Sequence, residues 1–306
     1  MKKVVLSVVA LAASVAPVLA ADLVKQAPAP APAAVAAPAP VSPWDIAFGG
    51  VVMTDYNFRG VSQSNRGPSA GAYFEPQLNI GFGTLYVGLA GYAIEWPSTI
   101  NPPYGFTDPS AEIDIYGGWR NTWGAFSLDL GLLYYYYPRE IFNGFTRDSD
   151  FLEIYAKGAY AITPAFTVGA NAFYTPDLLN YSETFRAVGV NQDADALYAS
   201  LTAKWVTPWT YGDLGAYISG ELGHWWIDDS GWTQALLPDP SYTYYNIGLA
   251  FTYKALTLDL RYHGTDQNVA DCQSFLLVAR GNPAGTWCDK AFIVSLKVDS
   301  TLSALK

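Results

Sequence analysis

Charged side chains that recur at every second position are the residues of this sequence best suited to do chemistry. Most stand in extended, largely apolar segments, where alternate side chains share one face. A wall that carries many like charges attracts ions of opposite sign and repels those of its own. The shared face carries ten acids and five bases when Asp45, Asp299 and Lys297 at the segment ends are included. The residues predicted to line a pore are Asp55, Glu75, Glu112, Asp114, Arg120, Asp129, Glu153, Lys157, Lys204, Glu221, Asp259 and Arg261.

Alternating hydrophobicity identifies the elements that hold these charges. Phe126, Leu128 and Leu130 alternate with Ser127 and Asp129, and a period of two is that of a β-strand. Twelve stretches of this kind follow one another, and a tilted strand of about 9–11 residues crosses a bilayer. The predicted strands are 44–56, 69–80, 84–94, 111–120, 125–137, 151–161, 165–174, 196–206, 214–225, 243–253, 256–263 and 291–299.

The links between these strands alternate between five short turns and six long loops. Outer-membrane barrels show this alternation of short turns and long loops, with an even strand number and both termini on the short-turn side. Only 14% of the residues are charged, whereas soluble domains average about 25%. The sequence therefore predicts an all-β fold, a transmembrane antiparallel up-and-down β-barrel of about twelve strands.

The N-terminal region predicts export. Residues 1–20 read as a signal peptide, with Lys2 and Lys3 before an apolar run and a small-residue cleavage site near Ala20. Residues 21–43 form a Pro/Ala-rich segment, predicted to be a periplasmic linker. It reads as a plain spacer or as a tether to the cell wall. The barrel domain is predicted to occupy residues 44–306.

The overall charge and the cysteines limit the partners further. The formal net charge is −10, so an interaction with nucleic acid is not expected. Cys272 and Cys288 lie in one predicted loop, and an exported protein can join them in a disulfide that stabilises the loop by about 3 kcal/mol. No metal site is predicted, because no further Cys or nearby His pair completes four ligands.

Catalysis is not predicted, and no cofactor is expected. His224 and His263 are the two histidines, neither has an evident serine partner, and no hydrolase or phosphate-binding motif is present.

Pairs of acids recur in the long loops. They read as solvated loop residues or as ligands for divalent cations that bridge surface lipids. These acids are Asp148, Asp150, Asp193, Asp195, Asp228 and Asp229.

The segment T-D-Y-N-F-R-G-V-S-Q-S, from Thr54 to Ser64, carries a family resemblance. It is similar to the opening motif of the TorF-type family, a group of outer-membrane proteins assigned a porin role, and the likeness extends through Gly67 and Pro68 to Phe74. The resemblance implies a single outer-membrane barrel of about a dozen strands that serves as a channel. It does not imply a particular solute.

Arg59 within this segment is a candidate constriction residue. The predicted loop 57–68 folds into the barrel mouth in one interpretation, and Arg59 then narrows the mouth. In the other, Arg59 pairs with Asp55 and only stabilises the turn, with Gly60 supplying a special backbone angle. Aromatic residues near the predicted long-loop ends, among them Tyr56, Trp96 and Trp225, are expected at the membrane interface. Residues 134–137, all tyrosines, read as interface and lumen lining or as a platform for sugar stacking.

These observations together predict an outer-membrane porin of a Gram-negative bacterium. It would pass small hydrophilic solutes or ions passively, with a mild preference for cations. Its expected partners are outer-membrane lipid and the export and barrel-assembly machinery, and the oligomeric state is left open. The alternative is a non-conducting barrel that acts structurally or adhesively through its external loops.

Overall fold

In a computed structural model, which describes residues 42–96, 109–140, 148–191, 193–278 and 280–305, the chain is a closed barrel. Within these segments twelve long antiparallel strands form the wall, each paired with its neighbours in the chain, and the first strand closes the ring by pairing with the last. The wall strands are β1 (Trp44–Met53), β4 (Ser69–Asn79), β5 (Thr84–Ala93), β6 (Ala111–Trp123), β7 (Phe126–Tyr136), β8 (Phe151–Thr163), β9 (Phe166–Thr175), β10 (Ala196–Tyr211), β11 (Leu214–Ile227), β12 (Tyr242–Tyr253), β13 (Leu256–Thr265) and β14 (Ala291–Thr301).

All twelve predicted strands are confirmed, and two of the differences at their ends have an evident structural cause. Strand β1 ends at Met53 rather than at Tyr56, because the chain turns into the barrel at Thr54. Strand β10 continues past Pro208 to Tyr211, and its pairing with β11 shifts register between Val206 and Thr210. A proline lacks the N–H that a regular ladder needs, so it is accommodated at such an irregularity.

Alternate side chains face outward and inward, as the period of two predicts. Leu132 is 50% exposed while its neighbour Leu133 is 0% exposed, so adjacent leucines of one strand lie on opposite faces. The outward face is rich in exposed apolar residues along the whole wall. The prediction of interface positions is wrong for Tyr56, Trp96 and Trp225, which are all buried in the interior.

The long loops carry short helices that pack over one end of the barrel. They are α1 (Tyr181–Ala187), α2 (Ser230–Gln234) and α3 (Val269–Phe275), and Asn268 and Asp271 form a capping box at the start of α3. Cys272 and Cys288 are joined by a disulfide, where the sequence predicted one. None of the helices in the described segments is long and apolar enough to cross a membrane.

The first long loop, residues 54–68 (loop 1), lies inside the barrel. It contains a small hairpin of two short strands, β2 (Asn57–Phe58) and β3 (Val61–Ser62). Both strands are buried. Residues 1–41, 97–108 and 141–147 lie outside the described part of the chain, as do the predicted signal peptide and most of the predicted linker.

Candidate functional site

Loop 1 crosses the lumen from one wall to the opposite wall. It leaves the barrel wall at the end of β1 and enters the lumen, where its tip contacts residues on β8, β9, β10 and β11. In the strand order, β9 lies six strands from β1 in either direction, which is halfway around the twelve-stranded ring. A contact between these two sides requires the loop to divide the lumen at the long-loop end.

The polar residues of the sequence motif fold this loop. The Asp55 carboxylate accepts hydrogen bonds from Ser62 Oγ at 2.6 Å and Ser64 Oγ at 3.0 Å, which draws the two sides of the hairpin together. Asn57 Oδ1 accepts a bond from the Gly60 N–H at 2.9 Å, and Gly60 has φ +93°, a left-handed conformation that glycine adopts readily. The motif therefore specifies a turn that places Arg59 at its tip.

Arg59 is fully buried and forms an ion pair with Glu153 of β8. Its Nη1 and Nη2 atoms donate to the two carboxylate oxygens at 2.7 and 2.9 Å. Burial alone would lower the pKa of the Arg59 guanidinium, but the Glu153 carboxylate more than offsets this and raises the pKa above its usual value. The side chain is therefore a permanent cation inside the barrel.

Aromatic rings enclose the same guanidinium. Its central carbon lies 4.9 Å from the ring centroid of Phe173, 4.4 Å from Tyr198 and 4.4 Å from Trp225, all on the wall. Phe58 of loop 1 adds a fourth ring at 4.8 Å. Ring faces carry negative potential, so each of these contacts attracts the cation.

A second anchor holds the base of loop 1 against β5 and β6. The Tyr56 hydroxyl donates to Glu112 at 2.5 Å, and the Tyr56 ring stacks on Tyr92 with centroids 4.9 Å apart. Tyr137 donates to the other oxygen of Glu112 at 2.9 Å. Asp114, two residues further along β6, is also buried, and in the described segments neither of its carboxylate oxygens has a hydrogen-bond partner.

The loop that carries the disulfide packs against loop 1 at the long-loop end of the barrel. Arg66 Nη2 donates to the backbone carbonyls of Thr286, Trp287 and Asp289 at 2.7, 3.1 and 2.6 Å, and these residues flank Cys288. The Ser62 N–H also donates to the Trp287 carbonyl at 3.1 Å. Any movement of loop 1 out of the barrel must break this set of bonds.

The predicted pore-lining residues all point inward, but they do not share one environment. Glu75, Glu112, Asp114 and Glu153 are each at most 1% exposed, so they face packed side chains and not open water. Lys157, Lys204 and Asp129 are partly exposed nearer the short-turn end. The remaining members are Asp55, Arg120, Glu221, Asp259 and Arg261, and all five are buried.

Several of these charges are paired. Arg120 pairs with Glu75, and Arg261 Nη2 lies 2.8 Å from Asp259 Oδ2 on the same strand. Arg59 reaches into the lumen, as the constriction hypothesis requires, but its carboxylate partner is Glu153 and not Asp55. Asp55 lies beside Arg66 instead, with 3.7 Å between Arg66 Nη1 and Asp55 Oδ2.

Sequence reasoning did not bring together the three rings that receive Arg59. Phe173, Tyr198 and Trp225 lie on three consecutive strands, and only the register of their ladders places them side by side. Strand parity was the available signal, because Phe173 shares the inward face of β9 with Asn171. The pairing of Arg59 with Glu153 had no signal in the sequence.

The remaining candidates have local roles in the structure. His224 Nδ1 contacts Thr243 Oγ1 at 3.0 Å, and His263 Nδ1 contacts the Tyr244 hydroxyl at 2.9 Å. Among the loop acids, Asp148 accepts a bond from Asn180 and Asp150 accepts one from the Tyr137 N–H. In the described part of the chain, no group of three His, Cys, Asp or Glu side chains is arranged to hold a metal ion.

Several solved structures of membrane channels resemble the barrel in outline. The NanC porin is 11% identical, with a TM-score of 0.43, and the alignment covers 84% of this chain and 98% of that one. An outer membrane channel from Pseudomonas putida F1 is 11% identical, with a TM-score of 0.44 and coverages of 86% and 97%. The outer membrane channel DcaP of Acinetobacter baumannii is 9% identical, with a TM-score of 0.38 and coverages of 85% and 96%.

Sequence comparison gives a more direct relationship. No curated protein sequence matches this chain. A family model described as "Bacterial protein of unknown function (Gcw_chp)" matches residues 37–297, from before β1 to within β14. The chain therefore belongs to the Gcw_chp family of bacterial proteins.

Proposed function

We propose that this protein is an outer-membrane channel for the passive passage of small hydrophilic solutes or ions, restricted by loop 1. The observation that carries the proposal is the closed wall, with apolar residues outside and charged residues inside. A closed barrel satisfies all backbone groups of its strands without a free edge, and only such a barrel or a helix is stable in lipid. A polar interior is typical of outer-membrane barrels and is water-filled in porins.

The proposed location is the outer membrane of a Gram-negative bacterium. The chain would be exported, cleaved near Ala20 and inserted by the barrel-assembly machinery, with residues 21–43 as a linker in the periplasm. The long loops, including the helices and the disulfide, would face the exterior. The similarity of the loop 1 motif to that of the TorF-type family supports this assignment.

The proposed selectivity is a mild preference for cations. Three inward arginines, Arg59, Arg120 and Arg261, each pair with a carboxylate, and Arg66 lies near Asp55. Together with Lys157, Lys204 and Lys297 these arginines make seven inward bases, which stand against ten inward acids. The acids are Asp45, Asp55, Glu75, Glu112, Asp114, Asp129, Glu153, Glu221, Asp259 and Asp299. The surplus of negative charge favours cations in the lumen.

One observation favours the alternative of a non-conducting barrel. Loop 1 contacts opposite walls of the lumen, and the loop that carries α3 packs beside it. A barrel in which loop 1 never moves would act only through its external loops. The two functions differ in what happens when loop 1 is removed.

The test is single-channel recording on folded, purified protein and on a variant without loop 1. Met53 and Ser69 are direct partners in the β1–β4 ladder, so residues 54–68 can be replaced by an Asn-Gly turn, which suits a two-residue hairpin. We expect steady, large currents from this variant and smaller or intermittent currents from the natural chain. Reversal potentials in a salt gradient should show a preference for cations.

The strand content and the heat-dependent gel mobility of both proteins provide the folding control. A folded variant without loop 1 that carries no current would rule out the channel and leave the structural role. Currents from the variant with no ion preference would remove only the proposed selectivity.

A further inference from the structure

The inner wall of the barrel carries a cation site whose parts come from four consecutive strands. Glu153 of β8 supplies the carboxylate, and Phe173 of β9, Tyr198 of β10 and Trp225 of β11 supply the rings. Phe173 and Tyr198 are direct partners in one ladder, and Tyr198 and Trp225 are partners in the next. The three rings therefore form one row at a single level of the barrel.

Glu153, Tyr198 and Trp225 each have a contact outside loop 1 that helps to hold the side chain in place. The Tyr135 hydroxyl donates to Glu153 Oε2 at 3.0 Å, and the Tyr198 hydroxyl donates to Glu221 Oε1 at 2.7 Å. Trp225 packs against Phe275 of α3, with ring centroids 5.8 Å apart. A site that is ordered before its ligand arrives loses little freedom on binding, which raises its affinity.

The group now in this site defines the chemistry that the site accepts. The Arg59 guanidinium makes two parallel hydrogen bonds to Glu153 and lies within 4.9 Å of the centroids of all three wall rings. A planar, delocalised cation with paired N–H donors matches a carboxylate flanked by rings. An ammonium group is a point charge without this fork, so it fits less well.

We propose that this wall is a binding site for solutes that carry a guanidinium group, and that Arg59 of loop 1 is its internal occupant in the closed barrel. Loop 1 and such a solute compete for one position, so a solute that binds favours the state in which loop 1 has withdrawn. In the membrane, an external solute reaches the wall only through the proposed channel, and in that respect the inference rests on the proposed function. The solute class would then also be the signal that opens the barrel.

The experiment fills the vacated site with the free cation. Arg59→Ala removes the occupant and leaves Glu153 and the three rings unchanged. We expect guanidinium chloride at low, non-denaturing concentration to raise the thermal unfolding midpoint of Arg59→Ala in a saturable way. Sodium chloride and ammonium chloride test for charge alone, and urea tests for a planar shape without charge, so none of them should reproduce the shift.

Two further variants provide the matched comparisons. Arg59→Ala/Glu153→Gln replaces the carboxylate with a neutral amide, and we expect the apparent affinity for guanidinium to fall by more than about tenfold. Arg186→Ala removes an exposed arginine of α1 that pairs with Glu183, and we expect no guanidinium-specific shift. Equal guanidinium effects in all three proteins would overturn the proposal.

Folding itself becomes the readout if Arg59→Ala does not form a stable barrel. The yield of folded protein on refolding into detergent should then rise with guanidinium and not with sodium, and a yield independent of guanidinium would overturn the proposal. None of these measurements uses current. A protein that conducts but shows no guanidinium rescue would disprove the guanidinium site and leave the channel function standing. Rescue in a barrel that never conducts would disprove the channel function and leave the site standing.

Discussion

Arg59 and Glu153 are 94 residues apart in the sequence, yet they form a two-pronged ion pair across the lumen, with N–O distances of 2.7 and 2.9 Å. One partner lies at the tip of loop 1 and the other on the wall almost opposite the root of that loop. Both side chains are almost completely buried, so separating the pair either leaves a buried charge without its partner or requires a charged side chain to move into water. This relationship fixes the position of loop 1.

A double-mutant cycle should reveal the coupling between these two residues. We expect Arg59→Ala alone to lower the free energy of loop 1 opening by about 3–5 kcal/mol, because it leaves the Glu153 carboxylate buried without its partner. The double variant Arg59→Ala/Glu153→Gln should lose less than the sum of the single changes. Amide hydrogen exchange of loop 1 measures the opening.

The exposed pair of Arg186 and Glu183 provides the control cycle. Both side chains are about half exposed, and such a pair contributes at most about 1 kcal/mol. If the Arg59 and Glu153 changes proved additive, the ion pair would not be what holds loop 1.

The barrel could be predicted from the sequence because its rule is local. The alternation of apolar and polar residues assigns each side chain to a face, and Leu132 and Leu133 show that a shift of one residue moves a leucine from the outside to the inside. The twelve strands and the short turns follow from this pattern and from loop lengths. No knowledge of long-range contacts is needed.

The interior of the site could not be predicted in the same way. Asp55, Arg59 and Gly60 stand out in the sequence, but whether Arg59 turns back to Asp55 or crosses to Glu153 depends on the diameter of the finished barrel. The position of Trp225 near a strand end predicts a place at the membrane interface, whereas the parity of the strand points its side chain inward. The buried end of the lumen shows that parity was the better guide.

Acidification should hold loop 1 more firmly in the lumen. Burial raises the pKa of the Asp55 carboxyl, an effect that Ser62, Arg66 and Ser64 only partly oppose. The docked loop therefore binds a proton more tightly than the free loop. Its docking is most favourable below the usual aspartate pKa of about 3.9 and weakens as the pH rises through the higher, docked value.

We therefore expect channel current to fall as the pH is lowered from neutral into this acidic range. The change is measured by recording the natural chain and Asp55→Asn at matched pH values. The amide cannot titrate, so its current should respond less. An identical pH response in both proteins would show that Asp55 is not the group responsible.

Removal of the disulfide should loosen loop 1 although the two cysteines do not touch Arg59. Cys272 and Cys288 close a segment with a sequence separation of 16, which corresponds to about 3 kcal/mol of loop entropy. Residues next to Cys288 supply the carbonyls that bind Arg66. We expect Cys272→Ser/Cys288→Ser to increase the fraction of time that the channel is open.

Arg66→Ala is the matched comparison for this effect. It removes the three hydrogen bonds from Arg66 to the carbonyls of Thr286, Trp287 and Asp289 and leaves the disulfide intact, so it should also increase channel opening. Should the double serine variant behave like the natural chain in current and in protease resistance of residues 266–290, the disulfide would have no part in holding loop 1.

Asp114→Asn should make the barrel more stable, which is unusual for a change at a buried position. Asp114 is 0% exposed, and in the described segments both of its carboxylate oxygens lack a hydrogen-bond partner. Glu112, which shares its strand face, and Glu153 are carboxylates as well, and Arg59 is already bound to Glu153. A neutral amide of the same shape removes the charge that burial penalises, and we expect a gain of about 1–3 kcal/mol.

The measurement is the urea dependence of unfolding in lipid vesicles, with Asp129→Asn as the comparison. Asp129 is partly exposed and accepts a hydrogen bond from the Tyr86 hydroxyl, so neutralising it should leave stability unchanged or lower it. A loss of stability in Asp114→Asn would mean that the Asp114 carboxylate has a favourable partner in the barrel. In that event the surplus of inward negative charge would be smaller than proposed, and the expected preference for cations would weaken with it.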